Sequence, residues 1–219
     1  MNFEEKNDVN AIFDELFVRY PSLIECKDSI WKMYELLKSA YKKDKILYIA
    51  GNGGSAADSE HIAGELMKSF RFKRPVDKEV ADYLKNEYEE VGINLCSALE
   101  GGLGAVALPS LVSLNTATIN DIGGEYIFAQ EVMSIGKTGD VFLGISTSGN
   151  SKNIVSAIMV AKAKGMTTIG LSGSKECKMD SLCDLVVHVP EYDTYKIQEL
   201  HLPIYHAVCA MLESYFWGE

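Results

Sequence analysis

The pattern of apolar and polar residues predicts helices alternating with buried strands. Two helical patterns open the chain: "VNAIFDELFVRY", which ends before a proline, and "SIWKMYELLKSAYKK", whose apolar residues share one face. Five short apolar runs typical of strands follow. They cover residues 45–50, 105–114 (interrupted by Pro109), 140–146, 167–172 and 184–189. Most are continuous rather than alternating, which indicates strands buried on both faces of a parallel sheet.

Helical segments separate several of these strands. "GEYIFAQEVMSIGK" precedes the third strand, and "SKNIVSAIMVAKAKG" joins the third to the fourth. This alternation implies right-handed crossovers and a doubly wound α/β sheet. A last helix is predicted over residues 194–216. Between residues 73 and 104, helical "VDKEVADYLKNEYEEVG" and glycine-rich "ALEGGLG" indicate a surface excursion.

Composition narrows the classes of protein. The 219 residues suffice for one α/β domain, and a net charge of −10 argues against nonspecific nucleic-acid binding. No apolar run approaches the ~18 residues of a membrane span. The acidic, polar N-terminus does not resemble a secretory signal. Five cysteines, none in a CxxC pair, predict reduced thiols in a cytoplasmic protein and argue against a cysteine-based zinc site.

Two turns after predicted strands are suited to an anion. In GNGGS (51–55) the glycines allow close backbone approach, and Ser55 can cap the next helix. In "ISTSGNSKN" (145–153) hydroxyl side chains surround the start of a helix, whose free amides favour phosphate. These hydroxyls belong to Ser146, Thr147, Ser148 and Ser151. Without the lysine of a Walker loop, either turn predicts a small phosphate ester; the alternative is an ordinary capped turn.

Two polar side chains follow the first of these turns at helical spacing. His61 and Glu65 are four residues apart, so they share a helix face. That pair can ligate a metal, can act as an acid/base pair, or can form only a surface contact. His188 lies in an apolar strand and is expected to be a hydrogen-bonded core residue.

The last predicted helix offers three more polar candidates. Gln198 lies between His201 and His206 on an ideal helical wheel, so spacing does not choose between the two histidines. Pro203 removes one helical hydrogen bond, which makes the wheel approximate.

With these residues in view, the chain resembles the phosphoheptose isomerases of the sugar isomerase (SIS) domain proteins from about residue 30 to its C-terminus. The matching motifs are "GNGGSAADSEHIAGEL", "NDIGGEYIFAQEV", "GDVFLGISTSGNSKN" and "IQELHLPIYH". The resemblance implies a three-layer α/β/α sandwich around a five-stranded parallel, flavodoxin-like sheet. It implies a single SIS domain over residues 1–219, with N-terminal helices in 1–43 and a helical excursion at about 73–104.

The resemblance also implies a site. It favours His206 over His201 and makes Glu65 and His206 the catalytic acid and base, without saying which is which. It implies one Zn²⁺ per subunit, held by His61, Glu65, Gln198 and His206. It implies that the substrate contacts Asn52, Gly53, Gly54, Ser55, Glu65, Asn120, Asp121, Ser146, Thr147, Ser148, Ser151 and Gln198.

The implied activity is isomerisation of sedoheptulose 7-phosphate to D-glycero-D-manno-heptose 7-phosphate through an enediol. The resemblance adds a cytoplasmic homotetramer with sites at subunit interfaces, a small sugar phosphate as ligand, and no nucleic-acid or membrane partner. An isomerase of another ketose phosphate is one alternative, because the excursion, Tyr195 and the apolar Leu111 and Val112 depart from the family pattern. The other is a noncatalytic SIS protein resembling the DnaA-associating replication initiator, which lacks the carboxylate and late histidine present here.

Overall fold

The computed structural model describes residues 7–218. The helices in this range are α1 (Asn7–Arg19), α2 (Lys27–Tyr41), α3 (Gly54–Met67), α4 (Lys78–Ala98), α5 (Val112–Asp121), α6 (Ile127–Ile135), α7 (Lys152–Ala163), α8 (Lys178–Leu182) and α9 (Thr194–Trp217). The strands are β1 (Leu47–Gly51), β2 (Ala105–Ala107), β3 (Val141–Ile145), β4 (Thr167–Ser172) and β5 (Leu185–His188). None of the helices in the described range is long and apolar enough to cross a bilayer.

All five strands pair in parallel, in the order β2-β1-β3-β4-β5. The chain therefore changes direction across the sheet at β1, which has β2 on one side and β3 on the other. Gly51 at the end of β1 lies opposite Ile145 at the end of β3. The turns that follow these two strands consequently lie side by side at the carboxyl edge, where open α/β sheets bind ligands.

Helices cover both faces of the sheet. Ile49 and Leu143 point into a core shared with α1, α2, α3 and α9, whereas Tyr48 and Phe142 point into a second core shared with α6, α7 and α8. Successive strand residues face opposite sides, so continuous apolar strands supply both cores. The predicted three-layer α/β/α sandwich with a five-stranded parallel sheet is confirmed.

Two predicted elements differ from the structure. The second strand ends at Ala107, because Pro109 has no N–H for a sheet ladder and starts a 3-10 turn instead; α5 then occupies the rest of the predicted run. The excursion forms a longer helix than predicted, with a kink at Glu89, whose φ is 44°. Residues 1–6 of the predicted N-terminal segment lie outside the described range.

The N-terminal helices find their partner surface within the chain. Phe13 of α1 packs edge-on against Trp31 of α2, with ring centroids 4.9 Å apart, and both belong to the core that contains α9. All five cysteines are free, as predicted.

Candidate active site

The two glycine- and serine-rich turns are joined directly. The amide side chains of Asn52 and Asn153 exchange two hydrogen bonds, of 3.0 and 2.8 Å between Nδ2 and Oδ1. Gly51 lets the first turn fold tightly, since a Cβ there would lie 2.5 Å from the carbonyl carbon of Ser55. The two turns thus form one continuous polar surface at the carboxyl edge of the sheet.

The serine turn, residues 146–151, presents hydroxyls and free amides. The Oγ atoms of Ser146 and Ser151 are 2.9 Å apart, and Ser148 Oγ accepts the Asn150 N–H at 3.2 Å. Within the described chain, the N–H groups of Thr147, Ser148 and Ser151 make no hydrogen bond. Since α7 begins immediately afterwards, its positive end adds to these donors, and the turn is suited to an anion.

The first turn also exposes backbone donors, but Ser55 does not cap its helix. Gly53 is the N-cap residue and has a positive φ of 55°, so Ser55 lies inside the first turn of α3 and is buried. The expected side-chain cap is therefore wrong. The N–H groups of Gly53 and Gly54 donate no hydrogen bond within residues 7–218 and remain available to a ligand.

Helices α3 and α9 bring three side chains together beside this surface. His61 Nε2 lies 3.1 Å from Glu65 Oε1 and 3.3 Å from His206 Nε2. One ligand atom from each of the three residues lies within 4.8 Å of the others. The i,i+4 spacing on α3 aligns His61 with Glu65, and the packing of α9 against α3 supplies the third group.

His201 lies elsewhere on α9. Its side chain is fully buried, and burial lowers its pKa to about 4, opposed by the backbone of Ser172. His201 is therefore a neutral core residue at pH 7. Of the two histidines that spacing left open, only His206 reaches the cluster of His61 and Glu65.

A hydrogen-bond chain orients the His61 ring. Tyr205 Oη donates to Asp58 Oδ1 at 3.1 Å and lies 3.2 Å from His61 Nδ1. The hydroxyl proton is committed to the carboxylate, so the hydroxyl oxygen accepts from His61 Nδ1–H. The opposite ring nitrogen, Nε2, then faces Glu65 and His206. Such an outer carboxylate–hydroxyl–imidazole chain is typical of metal-binding histidines.

The ring of His206 is held neutral. Burial and then the neighbouring His61 lower its pKa, with Glu65 opposing. Two imidazole lone pairs and a carboxylate oxygen within reach of one another repel unless a proton or cation lies between them. The donor set of two imidazoles and a carboxylate fits a borderline metal such as zinc.

The remaining predicted residues lie around this centre. Gln198 packs against the first turn, with Nε2 2.7 Å from the position of a Cβ on Gly54. Asn120 and Asp121 end α5 and are exposed, joined by a 2.8 Å hydrogen bond. None of these three side chains hydrogen-bonds to His61, Glu65 or His206 in the described part of the chain.

A buried ion pair anchors the end of α3. Arg74 and Glu213 are fully buried, with Nε and Oε1 2.9 Å apart. Glu213 also accepts the Phe70 and Arg71 N–H groups, at 2.8 and 2.7 Å. Arg74 donates to the carbonyls of Leu66 and Glu65, at 2.6 and 2.8 Å. The pair therefore holds the backbone that carries Glu65.

The sequence reasoning missed four residues that support the site. Asp58 lies one helical turn before His61, and Tyr205 adjoins His206, so each had a spacing signal. Glu213 stands in the apolar stretch "AMLESYFW", where a charge needs a buried partner. Asn153 had no signal, because its partner Asn52 is distant in sequence.

Comparison with known proteins supplies the family. The SIS domain model matches residues 21–101 and 101–173. A phosphoheptose isomerase of Burkholderia pseudomallei is 44% identical over 171 residues, which cover 78% of this chain and 74% of that protein. Phosphoheptose isomerase 2 of Campylobacter jejuni is 42% identical over 185 residues, which cover 84% of this chain and 79% of that protein.

Solved structures agree. The phosphoheptose isomerase of Neisseria gonorrhoeae superposes with a TM-score of 0.67 at 30% identity, covering 92% of this chain and 98% of the other. That of Francisella tularensis has a TM-score of 0.71 at 25% identity, covering 92% and 97%. By sequence and by fold, the chain belongs to the phosphoheptose isomerases of the SIS-domain family.

Proposed function

We propose that the protein isomerises sedoheptulose 7-phosphate to D-glycero-D-manno-heptose 7-phosphate. The observation that carries this proposal is the cluster of His61, Glu65 and His206, whose ligand atoms lie within 4.8 Å of one another beside two amide-lined turns. One region thus offers proton-transfer groups and the adjoining region offers anion-binding groups. Isomerisation of a sugar phosphate needs both kinds of group, one to move the proton and the other to bind the phosphate.

The proton-transfer groups suit an enediol route. A base removes the proton from the carbon beside the carbonyl, and an acid returns a proton to the neighbouring carbon. Aldose and ketose therefore interconvert with no net gain or loss of protons. Glu65 and His206 take these two roles. Neutral His206 can accept a proton at Nε2, and the Glu65 carboxylate can do the same.

We further propose that His61, Glu65, Gln198 and His206 hold one zinc ion per subunit. The support is the position of His61 Nε2, which faces a carboxylate oxygen and a second imidazole. A bound zinc ion supplies a Lewis acid that polarises the substrate carbonyl. Gln198 belongs to this set by family resemblance. Its side chain extends from α9 to Gly54 in the first turn.

The substrate phosphate is proposed to bind the serine turn through Ser146, Thr147, Ser148 and Ser151. Its free N–H groups and the start of α7 support this orientation. The first turn, with Asn52, Gly53, Gly54 and Ser55, then faces the sugar. Asn120 and Asp121 complete the proposed contacts by family resemblance.

The quaternary and cellular context is also proposed. We infer one SIS domain over residues 1–219, a homotetramer, and a cytoplasmic location, for which the five free thiols are the support. No nucleic-acid or membrane partner is proposed.

Turnover of a sugar phosphate panel tests the activity. Sedoheptulose 7-phosphate is expected to react faster than fructose 6-phosphate, ribulose 5-phosphate and unphosphorylated sedoheptulose. Faster turnover of another ketose phosphate would keep the reaction and change the substrate. No turnover of any of them would favour a noncatalytic SIS protein.

Metal removal tests the ion. Chelation is expected to abolish turnover, and added Zn²⁺ to restore it. Elemental analysis should find one equivalent less zinc in His61→Ala than in the wild type. Full turnover by metal-free protein would refute the metal assignment while leaving the acid/base pair in place.

A further inference from the structure

We propose that Cys177, Asp180 and His188 form a second binding site for a divalent metal of the zinc class. Cys177 precedes α8, Asp180 lies within α8, and His188 ends β5. One ligand atom from each lies within 4.8 Å of the others. The site shares no residue with the cluster around His61.

Hydrogen bonding decides how His188 presents its ring. Its Nδ1 lies 2.6 Å from the Gly173 carbonyl oxygen, which can only accept, so Nδ1 carries a proton. Its Nε2 lies 2.7 Å from Asp180 Oδ1. A neutral ring would direct a lone pair at that carboxylate, so a positive species is required between them, either a second proton or a metal ion. A backbone carbonyl that fixes the opposite ring nitrogen is the usual arrangement of a metal-ligating histidine.

The other two ligands are already arranged for a metal. Cys177 Sγ and Asp180 Oδ1 are 3.5 Å apart. Two ligands on tetrahedral zinc are separated by about 3.5 Å when Zn–S is about 2.3 Å and Zn–O about 2.0 Å. The Cys177 N–H donates to Asp180 Oδ2 at 2.7 Å, which leaves Oδ1 directed at the other two groups. The Nε2–Oδ1 distance of 2.7 Å would open to about 3.3 Å around a tetrahedral zinc ion, and Sγ and Nε2 lie within 4.8 Å of each other.

The ligand chemistry selects the metal. Thiolate, imidazole and carboxylate together suit zinc or cobalt, whereas magnesium and calcium prefer oxygen alone. The side chains of Asp180 and His188 are 35% and 33% exposed, so water can complete the coordination. Three protein ligands with an open fourth position describe an exchangeable site rather than a closed structural one.

The site lies directly behind the serine turn. Cys177 Sγ packs against Gly149, where a Cβ would overlap the sulfur, and Gly149 has a φ of 61°. The N–H of Lys178 donates to Asn150 Oδ1 at 3.0 Å. The buried hydroxyl of Ser172 borders the same space, 3.0 Å from that Cβ position, and has no hydrogen-bond partner among the described residues. This proposal does not depend on what the serine turn binds.

Cobalt titration separates this site from the other cluster, because only this site contains a thiol. Chelator-treated protein is titrated with CoCl₂ and followed in the near ultraviolet. We expect a sulfur-to-cobalt charge-transfer band that saturates within two equivalents per chain, because the cluster around His61 takes up cobalt as well. The band should vanish in Cys177→Ser. In His188→Ala the affinity for cobalt, read from the same band, should fall at least about tenfold. It should persist in the control Cys183→Ser, a half-buried thiol at the end of α8, and in His206→Ala.

Alkylation of the wild-type protein gives a second test, which does not depend on whether a variant folds. Saturating Zn²⁺ should slow iodoacetamide labelling of Cys177 at least about tenfold, with labelling of Cys96 unchanged, both measured by peptide mass. Absence of the cobalt band, or its survival in Cys177→Ser, would overturn the proposal. So would equal labelling of Cys177 with and without zinc, and the cluster would then be an imidazolium–carboxylate pair beside a bystander thiol.

Discussion

In each histidine cluster, a hydrogen bond to Nδ1 of one histidine determines that its Nε2 faces the carboxylate. The Tyr205 hydroxyl holds the proton of His61 on Nδ1, and the Gly173 carbonyl does the same for His188. In both cases Nε2 faces a carboxylate. A single hydrogen bond to Nδ1 thus orients each histidine so that Nε2 can serve as a metal ligand. Residue spacing alone could not indicate this orientation.

Glu65→Gln separates proton transfer from metal binding. The glutamine keeps nearly the same size and can still hydrogen-bond, but its amide is not a useful base. Proton exchange at the carbon beside the carbonyl of sedoheptulose 7-phosphate, followed by NMR in heavy water, should fall by ~10² to 10⁴.

Zinc content must be measured on the same Glu65→Gln sample. Loss of exchange with zinc retained supports proton transfer, and loss of both supports only a ligand role. Glu60→Gln, an exposed position on the same helix, is the matched control and should exchange at the wild-type rate. A wild-type rate in Glu65→Gln would mean that another group is the base.

Glu131 makes stability depend on pH. Its carboxyl group is fully buried on α6, has no hydrogen-bond partner in the described chain, and burial raises its pKa to about 8. The unfolded value is about 4.3. The folded state therefore binds the proton more tightly, and the contribution of Glu131 to stability is complete below about pH 4.3 and is lost as pH rises towards about 8.

Glu131→Gln should remove this pH dependence, because a neutral amide replaces the acid. In urea unfolding, the variant should match the wild type near pH 4 and exceed its free energy of unfolding by on the order of 5 kcal/mol at pH 9. Exposed Glu87→Gln should follow the wild-type profile. Parallel wild-type and Glu131→Gln profiles would show that the carboxyl group has a charged partner or solvent access.

The connection from α3 to α4 depends on one buried ion pair. Replacing Glu213 by Gln leaves the Arg74 guanidinium buried without a counter-charge, although the amide can still accept one hydrogen bond. The variant should lose about 3–5 kcal/mol in urea unfolding. Asp82→Asn, which breaks the exposed Lys78–Asp82 pair, should leave stability unchanged. A stable Glu213→Gln would mean that backbone packing alone holds this segment.

The serine turn is the element that should decide phosphate affinity. Replacing Ser148 and Ser151 together with Ala removes two donors, each worth about 1.5–3 kcal/mol to a charged ligand. Calorimetric binding of sedoheptulose 7-phosphate should weaken at least about tenfold. Ser134→Ala on α6 serves as the control. An unchanged dissociation constant in the double variant would assign the phosphate to another turn.

Exposed apolar side chains on α5 support assembly of several chains. Val112 and Ile119 are 65% and 52% exposed, whereas α1 and α2 bury their apolar faces within the chain. One surface available to a partner chain is therefore α5, where apolar side chains remain exposed. Light scattering at micromolar concentration should give about four times the 24.2 kDa chain mass, and Ile119→Glu should lower it. A wild-type monomer would refute the tetramer.

The layout of the fold was readable from the chain because buried parallel strands and amphipathic helices carry their own periodicity. The run at residues 167–172 predicted β4 with its observed ends, and the alternation of elements predicted the doubly wound sheet. The glycine and serine turns were also recognisable, since backbone approach and hydroxyl density are local properties. The run that included Pro109 failed because a proline stops a ladder, and periodicity does not register that.

Contacts between distant segments were decided only by the tertiary structure. Spacing could not choose between His201 and His206, because both lie near Gln198 on a wheel; the packing of α9 on α3 buries one and delivers the other to His61. Nothing in the sequence indicated that Cys177 lies near His188, because the adjacency of α8 and β5 that brings them together arises only in the fold. A local sequence pattern indicates which face of a helix or strand a side chain occupies. Which residue that side chain contacts depends on how distant elements of the chain pack together.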